Sequence, residues 1–182
     1  MGLIASGKST LAKAWASKYS FPYYNSDFVR KELAGLSANS RQADAFYIGI
    51  YTPEMTRKTY DALGNYAREE LSAGNSVVLD ASYSVCSERQ NIIQCASDCR
   101  CRILFILCQC DEEETRSRLQ KRERDPRAVS DATWDIYQKQ VRHFDYPNEL
   151  PPQYLIVIDT AAPVAELLGI LEEKISRSSS SF

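Results

Sequence analysis
Apolar positions along the chain recur at two different periods. Residues 9–19 place Leu11, Ala14, Trp15 and Lys18 at helical intervals, so a helix is expected there. The aromatic run over 21–25 predicts a short strand. Asp27 then opens a helix over 28–34, and Gly35 closes it. A polar loop follows over 37–44. Thr52 before Pro53 marks the next helix start, with proline at the first helical position. That helix presents Met55, Thr59, Ala62, Leu63, Tyr66, Ala67 and Leu71 on one face and ends at Gly74.

The second half continues the alternation. Ser76-Val77-Val78-Leu79-Asp80 reads as a buried strand ending in an acid. Ser87 and Gln90 match a capping box for a helix to about 97. An apolar strand is expected over 103–108. Asp111-Glu112-Glu113-Glu114 opens a helix whose later turns carry Arg116, Arg118, Lys121 and Arg122, a polarity that suits the helix dipole. Ser130 is placed as the cap of a helix bearing Trp134, Tyr137, Val141 and Phe144. Strand 154–158 and a helix from Pro163 complete the set, with a polar tail over 176–182. Strands that alternate with helices, most of them continuous apolar runs, predict a parallel sheet covered on both faces.

The first residues carry the chemistry. Gly2-Leu3-Ile4-Ala5-Ser6-Gly7-Lys8-Ser9 fits G-x-x-x-x-G-K-[ST], the phosphate-binding P-loop. Glycines let the backbone curl so that successive N–H groups face phosphate oxygens. Gly2, Ser6, Gly7, Lys8, Ser9 and Thr10 form the expected cradle for ATP. Lys8 can set its ammonium on the β- and γ-phosphates, and Ser9 can offer a hydroxyl to Mg²⁺. The helix that follows aims the positive end of its dipole at the same anion.

Three further features fall where such a site needs them. Asp80 ends a buried strand and can hold Mg²⁺, as the Walker-B acid does. Asp27 lies just past the second strand, where a carboxylate can take a proton from an attacking hydroxyl. Arg30, one turn on, can fork onto a polar or anionic acceptor. Arg118 and Arg122 share a helix face in an Arg-rich segment that can close as a lid over the transferring phosphoryl group. Asp27 can also be read as a plain helix cap, and the arginines as a solvated helix face.

Composition narrows the choice. At 182 residues the chain suits one domain, and a net charge of −2 offers no global basic field for nucleic acid. No apolar run approaches the roughly 20 residues that span a bilayer. The expectation is a cytoplasmic protein. The 6 cysteines include two C-x-C pairs rather than the C-x₂₋₄-C spacing of zinc sites, and read as small buried hydrophobes. The lone histidine, His143, is placed on a helix far from the loop and reads as structural.

Residues 2–10, the run Ser26-Asp27-Phe28-Val29-Arg30-Lys31-Glu32-Leu33-Ala34-Gly35-Leu36, Gly49-Ile50-Tyr51, Thr59-Tyr60, Val78-Leu79-Asp80-Ala81 and Arg118-Leu119-Gln120-Lys121-Arg122 together resemble a predicted-kinase family of small P-loop proteins. That family is often described as AAA-family, zeta-toxin-like or gluconate-kinase-like ATP-binding proteins. The resemblance covers 2–175. It implies an α/β fold, a P-loop NTPase three-layer αβα sandwich with five parallel strands in the order 2-3-1-4-5. The central first strand precedes the P-loop in that family, and no strand precedes Gly2 here. The expectation is therefore a kinase-like domain over 1–175, truncated at its N-terminus. A fused N-terminal domain in a longer parent is expected, since family members often follow an aminoglycoside-phosphotransferase-like half.

By the same resemblance Lys8, Asp27, Arg118 and Arg122 are catalytic, Asp27 and Arg30 contact substrate, Ser9 and Asp80 serve Mg²⁺, and adenine lies near 160–163. The expected activity is transfer of the ATP γ-phosphoryl group to a hydroxyl of a small molecule. Two alternatives stand beside it: a nucleotide-binding regulatory ATPase module of a longer bifunctional protein, and a 5′-hydroxyl nucleic-acid kinase. The even charge balance speaks against the last.

Overall fold
Parallel strands need crossover helices, and the chain supplies one after nearly every strand. The computed structural model describes residues 1–37, 49–124 and 133–179. Its helices and strands are α1 (Lys8–Tyr19), β1 (Tyr23–Asn25), α2 (Ser26–Leu33), α3 (Pro53–Ser72), β2 (Val78–Asp80), α4 (Cys86–Asp98), β3 (Phe105–Gln109), α5 (Glu112–Arg124), α6 (Trp134–His143), β4 (Leu155–Asp159) and α7 (Val164–Ser179). The expected loop over 37–44 lies outside the described residues from 38 onward, as does the expected cap Ser130. Helix α7 runs to Ser179, into the stretch expected as a polar tail.

The strands form two parallel pairs, β1 with β2 and β3 with β4. Between the pairs stands Met1. Its amino group donates to the Ile106 carbonyl at 2.6 Å, and its carbonyl accepts from the Cys108 amide at 2.9 Å. On the other side the Gly2 amide donates to the Ser82 carbonyl at 3.1 Å. Read across the molecule, the order is β1, β2, the Met1–Gly2 segment, β3, β4. This is the 2-3-1-4-5 arrangement, with the Met1–Gly2 segment at its central position. The P-loop thus leaves the sheet at its middle, where the crossover direction reverses and ligands of such sheets bind.

Helices cover both faces, giving three layers. One core joins Leu63, Ala67, Ala81, Tyr83, Ile92, Phe105 and Leu107, drawn from α3, α4, β3 and the stretch after β2. The other joins Leu11, Cys108, Ile156, Ile158, Leu167 and Leu171, from α1, α7 and the opposite sheet face. Residues 105–108 explain the continuous apolar run: Phe105 and Leu107 point to one core while Ile106 and Cys108 point to the other. Strand β4 departs from that pattern. Ile156 and Ile158 are buried, but Val157 is 37% exposed, so β4 buries a single face.

Local capping differs from expectation at two helices. Asn25, not Asp27, caps α2, accepting from the amides of Asp27 at 3.0 Å and Phe28 at 3.2 Å. The Ser87/Gln90 pair does not cap α4, which begins at Cys86, after Val85, with no side-chain cap. Thr52 does cap α3, accepting from the Met55 amide at 3.2 Å. Asp111 opens α5 by accepting from Glu114 at 2.6 Å. Among the described residues no helix is long and apolar enough to cross a membrane.

Candidate active site
The loop over 2–7 owes its shape to positions where a side chain is not tolerated. Gly2 lies at φ +139°, and a Cβ there would meet the Cys108 carbonyl oxygen at 2.4 Å. Gly7 lies at φ +78°, and its Cβ would fall 2.9 Å from Thr160 Oγ1 and 3.1 Å from Arg118 Nη1. Gly7 is the N-cap of α1 in a left-handed conformation and has no side chain to cap the helix. Among the described residues, the amides of Lys8, Ser9 and Thr10 therefore find no protein acceptor. Uncapped amides and the dipole of α1 point out of one end, a ready site for an anion. Lys8 Nζ rests on the Leu3 carbonyl at 3.3 Å, so its ammonium lies along its own loop.

A clamp not foreseen from the sequence holds the loop. Thr160, 3% exposed just after β4, donates its hydroxyl to the Ser6 carbonyl at 2.8 Å, with the Gln109 carbonyl 3.1 Å away. Arg118 spans from α5 to the same point. Its Nη2 donates to the Thr160 carbonyl at 2.6 Å, and its Nη1 to Thr160 Oγ1 at 3.1 Å and to the Ala5 carbonyl at 3.3 Å. Its Nε donates to Glu114 at 2.7 Å. Arg118 is thus a bracket on the P-loop backbone rather than a loose lid residue. Arg122 lies on the same face of α5, and burial together with the like charge of Arg118 pushes its guanidinium pKa down. Gln140 of α6 adds a third brace, accepting from the Ile4 amide at 2.8 Å. A cavity of about 500 Å³ lies against the loop, lined by Leu3, Ile4, Ser6, Cys110, Tyr137 and Val141 among others.

The acids occupy one rim. Registers end in Asn25 opposite Asp80, at the carboxyl ends of β1 and β2. Asp80 is 3% exposed, and its Oδ2 accepts from the Tyr23 hydroxyl and from Asn25 Nδ2, each at 2.6 Å. Burial and the adjoining Asp80 charge push the Tyr23 phenol far up, so it stays a donor. Asp27, exposed in the first turn of α2, is free of capping duty because Asn25 performs it. Arg30 is 6% exposed, and its Nη1 donates to the Ile50 carbonyl at 3.2 Å and to Thr56 Oγ1 at 3.1 Å. His143 stays on α6 with its ring against the Lys139 carbonyl. Within the loop of 160–163, expected at adenine, Thr160 reaches the underside of the P-loop.

Nucleotide and Mg²⁺ can be judged against this geometry. Uncapped amides at 8–10, the adjoining Lys8 and the open Ser9 hydroxyl suit a polyphosphate. Among the described residues no group of three or more His, Cys, Asp or Glu could hold a metal ion. Mg²⁺ needs no such group, since it takes one or two protein ligands and shares the rest with water and phosphate. Ser9, with Asp80 through Oδ1 or a water, are the residues that fit it.

The sheet order and the loop define a P-loop NTPase of the kinase-like fold. The chain belongs to the AAA domain family, whose model matches residues 1–147. Solved structures share the fold at low identity. A gluconokinase from Sinorhizobium meliloti 1021 is 18% identical with a TM-score of 0.68, over 100% of this chain and 91% of that one. Kti12 from Chaetomium thermophilum, solved with ADP-AlF3, is 19% identical at 0.67, over 95% and 94%. APS kinase CysC from Mycobacterium tuberculosis, solved with AMPPNP and APS, is 15% identical at 0.65, over 97% and 94%. No curated protein matches the chain in sequence.

Proposed function
We propose that this protein is an ATP- and Mg²⁺-dependent phosphotransferase that acts on a hydroxyl of a small molecule. The observation that carries it is the uncapped start of α1 inside a loop clamped by Thr160 and Arg118, on the same rim as Asp27. The kinase-like fold supports it, as do neighbours solved with ADP-AlF3 and AMPPNP.

The amides of Lys8, Ser9 and Thr10 bind the phosphates, and Lys8 swings from Leu3 to the charge that builds on the γ-phosphoryl group. Mg²⁺ at Ser9 and Asp80 would supply further charge neutralisation. Asp27 orients the acceptor hydroxyl and takes its proton as the oxygen bonds to phosphorus and the bond to ADP breaks. Arg30 holds the acceptor. Arg118 keeps the loop in shape, and Arg122 adds positive charge beside it.

Calorimetry with Mg–ATP and ADP release over a panel of hydroxylated acceptors test this. Asp27→Ala should keep nucleotide affinity and lose turnover by about 10²–10⁴-fold. Wild-type protein that bound no Mg–ATP would overturn the whole assignment. Binding without turnover on any acceptor would favour a nucleotide-binding regulatory module.

A further inference from the structure
One buried acid at the rim draws donors from the neighbouring strand. Asn25 and Asp80 stand opposite each other in the β1–β2 register, and Tyr23, two residues back, is diagonal to Asp80. Side chains two apart on a strand share a face, so Tyr23 and Asn25 reach Asp80 from one side of the sheet. Helix α1 packs on both strands, and its Lys13, Ala16 and Ser17 share a surface depression with Tyr23. That face is therefore the one covered by the helix that begins at Lys8 and Ser9.

Both donors fall on the same atom. The Tyr23 hydroxyl and Asn25 Nδ2 each lie 2.6 Å from Asp80 Oδ2. Asp80 is 3% exposed and, among the described residues, forms no salt bridge. Among those residues no donor reaches its Oδ1, which is not one of the buried atoms sealed away without a partner. A buried acid kept only for structure would share its donors between both oxygens, because each carries lone pairs to satisfy. Here one oxygen is saturated and the other stays open. A buried carboxylate with no cation beside it calls for one.

We propose that Tyr23 is a positioning residue which, with Asn25, holds Asp80 to contact through one oxygen, and that this tunes the rim to Mg²⁺ against Ca²⁺. The proposal rests on the Mg²⁺-dependent kinase reading above and adds how that site selects its cation. The two ions differ in what they ask of a carboxylate. Mg²⁺ is small, demands near-octahedral geometry and takes single oxygens. Ca²⁺ is larger, gathers about six to eight oxygens and accepts both oxygens of one carboxylate. Asp80 can offer Oδ2 to a cation only by giving up two short hydrogen bonds. The two donors from β1 also fix the rotation of the carboxylate, as outer partners of a metal ligand do.

The test is calorimetry of ADP with the full chain, in Mg²⁺, in Ca²⁺ and in EDTA, so that no turnover enters. Wild-type protein should bind Mg–ADP at least about tenfold more tightly than Ca–ADP. Tyr23→Phe keeps the ring and deletes the hydroxyl. It should weaken Mg–ADP by about tenfold, the low end for an outer partner of a metal ligand, with Ca–ADP and metal-free ADP within about twofold of wild type. Loosened packing alone would weaken all three alike, and that result would overturn the proposal. So would a folded Tyr23→Phe protein with the wild-type ratio of Mg–ADP to Ca–ADP affinity. Wild-type protein that takes Ca–ADP as tightly as Mg–ADP would overturn it without any variant. ADP binding that Mg²⁺ does not strengthen would overturn the cation site and leave the phosphate loop standing. No ADP binding in any buffer would overturn the nucleotide reading with it.

Discussion

Replacing Thr160 by valine isolates the clamp beneath the P-loop. The methyl group fills the space of the hydroxyl but neither donates nor accepts. Thr160 Oγ1 donates to the Ser6 carbonyl at 2.8 Å and accepts from Arg118 at 3.1 Å. After the change, Gln109 keeps the Thr160 amide at 2.8 Å, and Arg118 keeps Glu114, Ala5 and the Thr160 carbonyl. The Ser6 carbonyl loses the hydroxyl donor in a site where Thr160 is 3% exposed. A buried polar group left unpaired costs about 1–3 kcal/mol, so a loss of about 2 kcal/mol is expected. For a chain of this length that lowers Tm by about 4–8 °C. Ala5 and Ser6 sit in the phosphate loop, so Mg–ATP affinity should also fall, by about tenfold for each 1.4 kcal/mol passed to the loop. Urea unfolding and calorimetry read the two effects, and Thr160→Ser should keep most of both because the hydroxyl remains. A Thr160→Val protein with the wild-type urea midpoint, slope and Mg–ATP affinity would refute the clamp.

Two other substitutions probe the rim and the buried charge behind it. Asn25→Ala removes the cap of α2 and a donor to Asp80, and should destabilise by about 1–2 kcal/mol in urea unfolding. Asn25→Asp keeps the cap but sets a second carboxylate on Asp80, and should do no better than alanine. Arg89 is fully buried at 0% exposure, with its Nε on Glu149 and its Nη1 on the Tyr83 carbonyl at 2.8 Å. The Arg89 hydrogen bond holds the Glu149 carboxyl below its ordinary value of 4.5. A depressed acid contributes stability that is present above 4.5 and lost as pH falls through the folded value. Glu149→Gln should remove that acid-limb slope and cost about 3 kcal/mol at neutral pH, the low end for a broken buried pair because Glu149 is 29% exposed. An unchanged acid limb in equilibrium unfolding would count against the pair.

Much of the fold was legible because it depends on local pattern. The helix start at Thr52-Pro53 and the stop before Gly74 follow from backbone geometry that those residues prefer. The run over 105–108 announced burial on two faces, which the two cores bear out. Other features were local and still missed. Asn25 and Asp27 are both good capping residues, and the choice between them turned on where β1 ended, a boundary that pattern alone locates poorly. Val157 reads as core in a strand of apolar residues, yet β4 has helices on one face only. No feature near Arg89 points to Glu149, 60 residues away.

The sequence by itself determined the phosphate loop, the alternation of strands and helices and the placing of acids at strand ends. Each depends on a few neighbouring residues whose backbone preferences act over one or two turns. Only the tertiary structure decided what surrounds them. Thr160 reaches Ser6, Arg118 reaches Ala5, and Gln140 reaches Ile4. Those meetings arise where the sheet order brings distant segments to one rim, and burial makes each unpaired polar group costly enough to specify its partner.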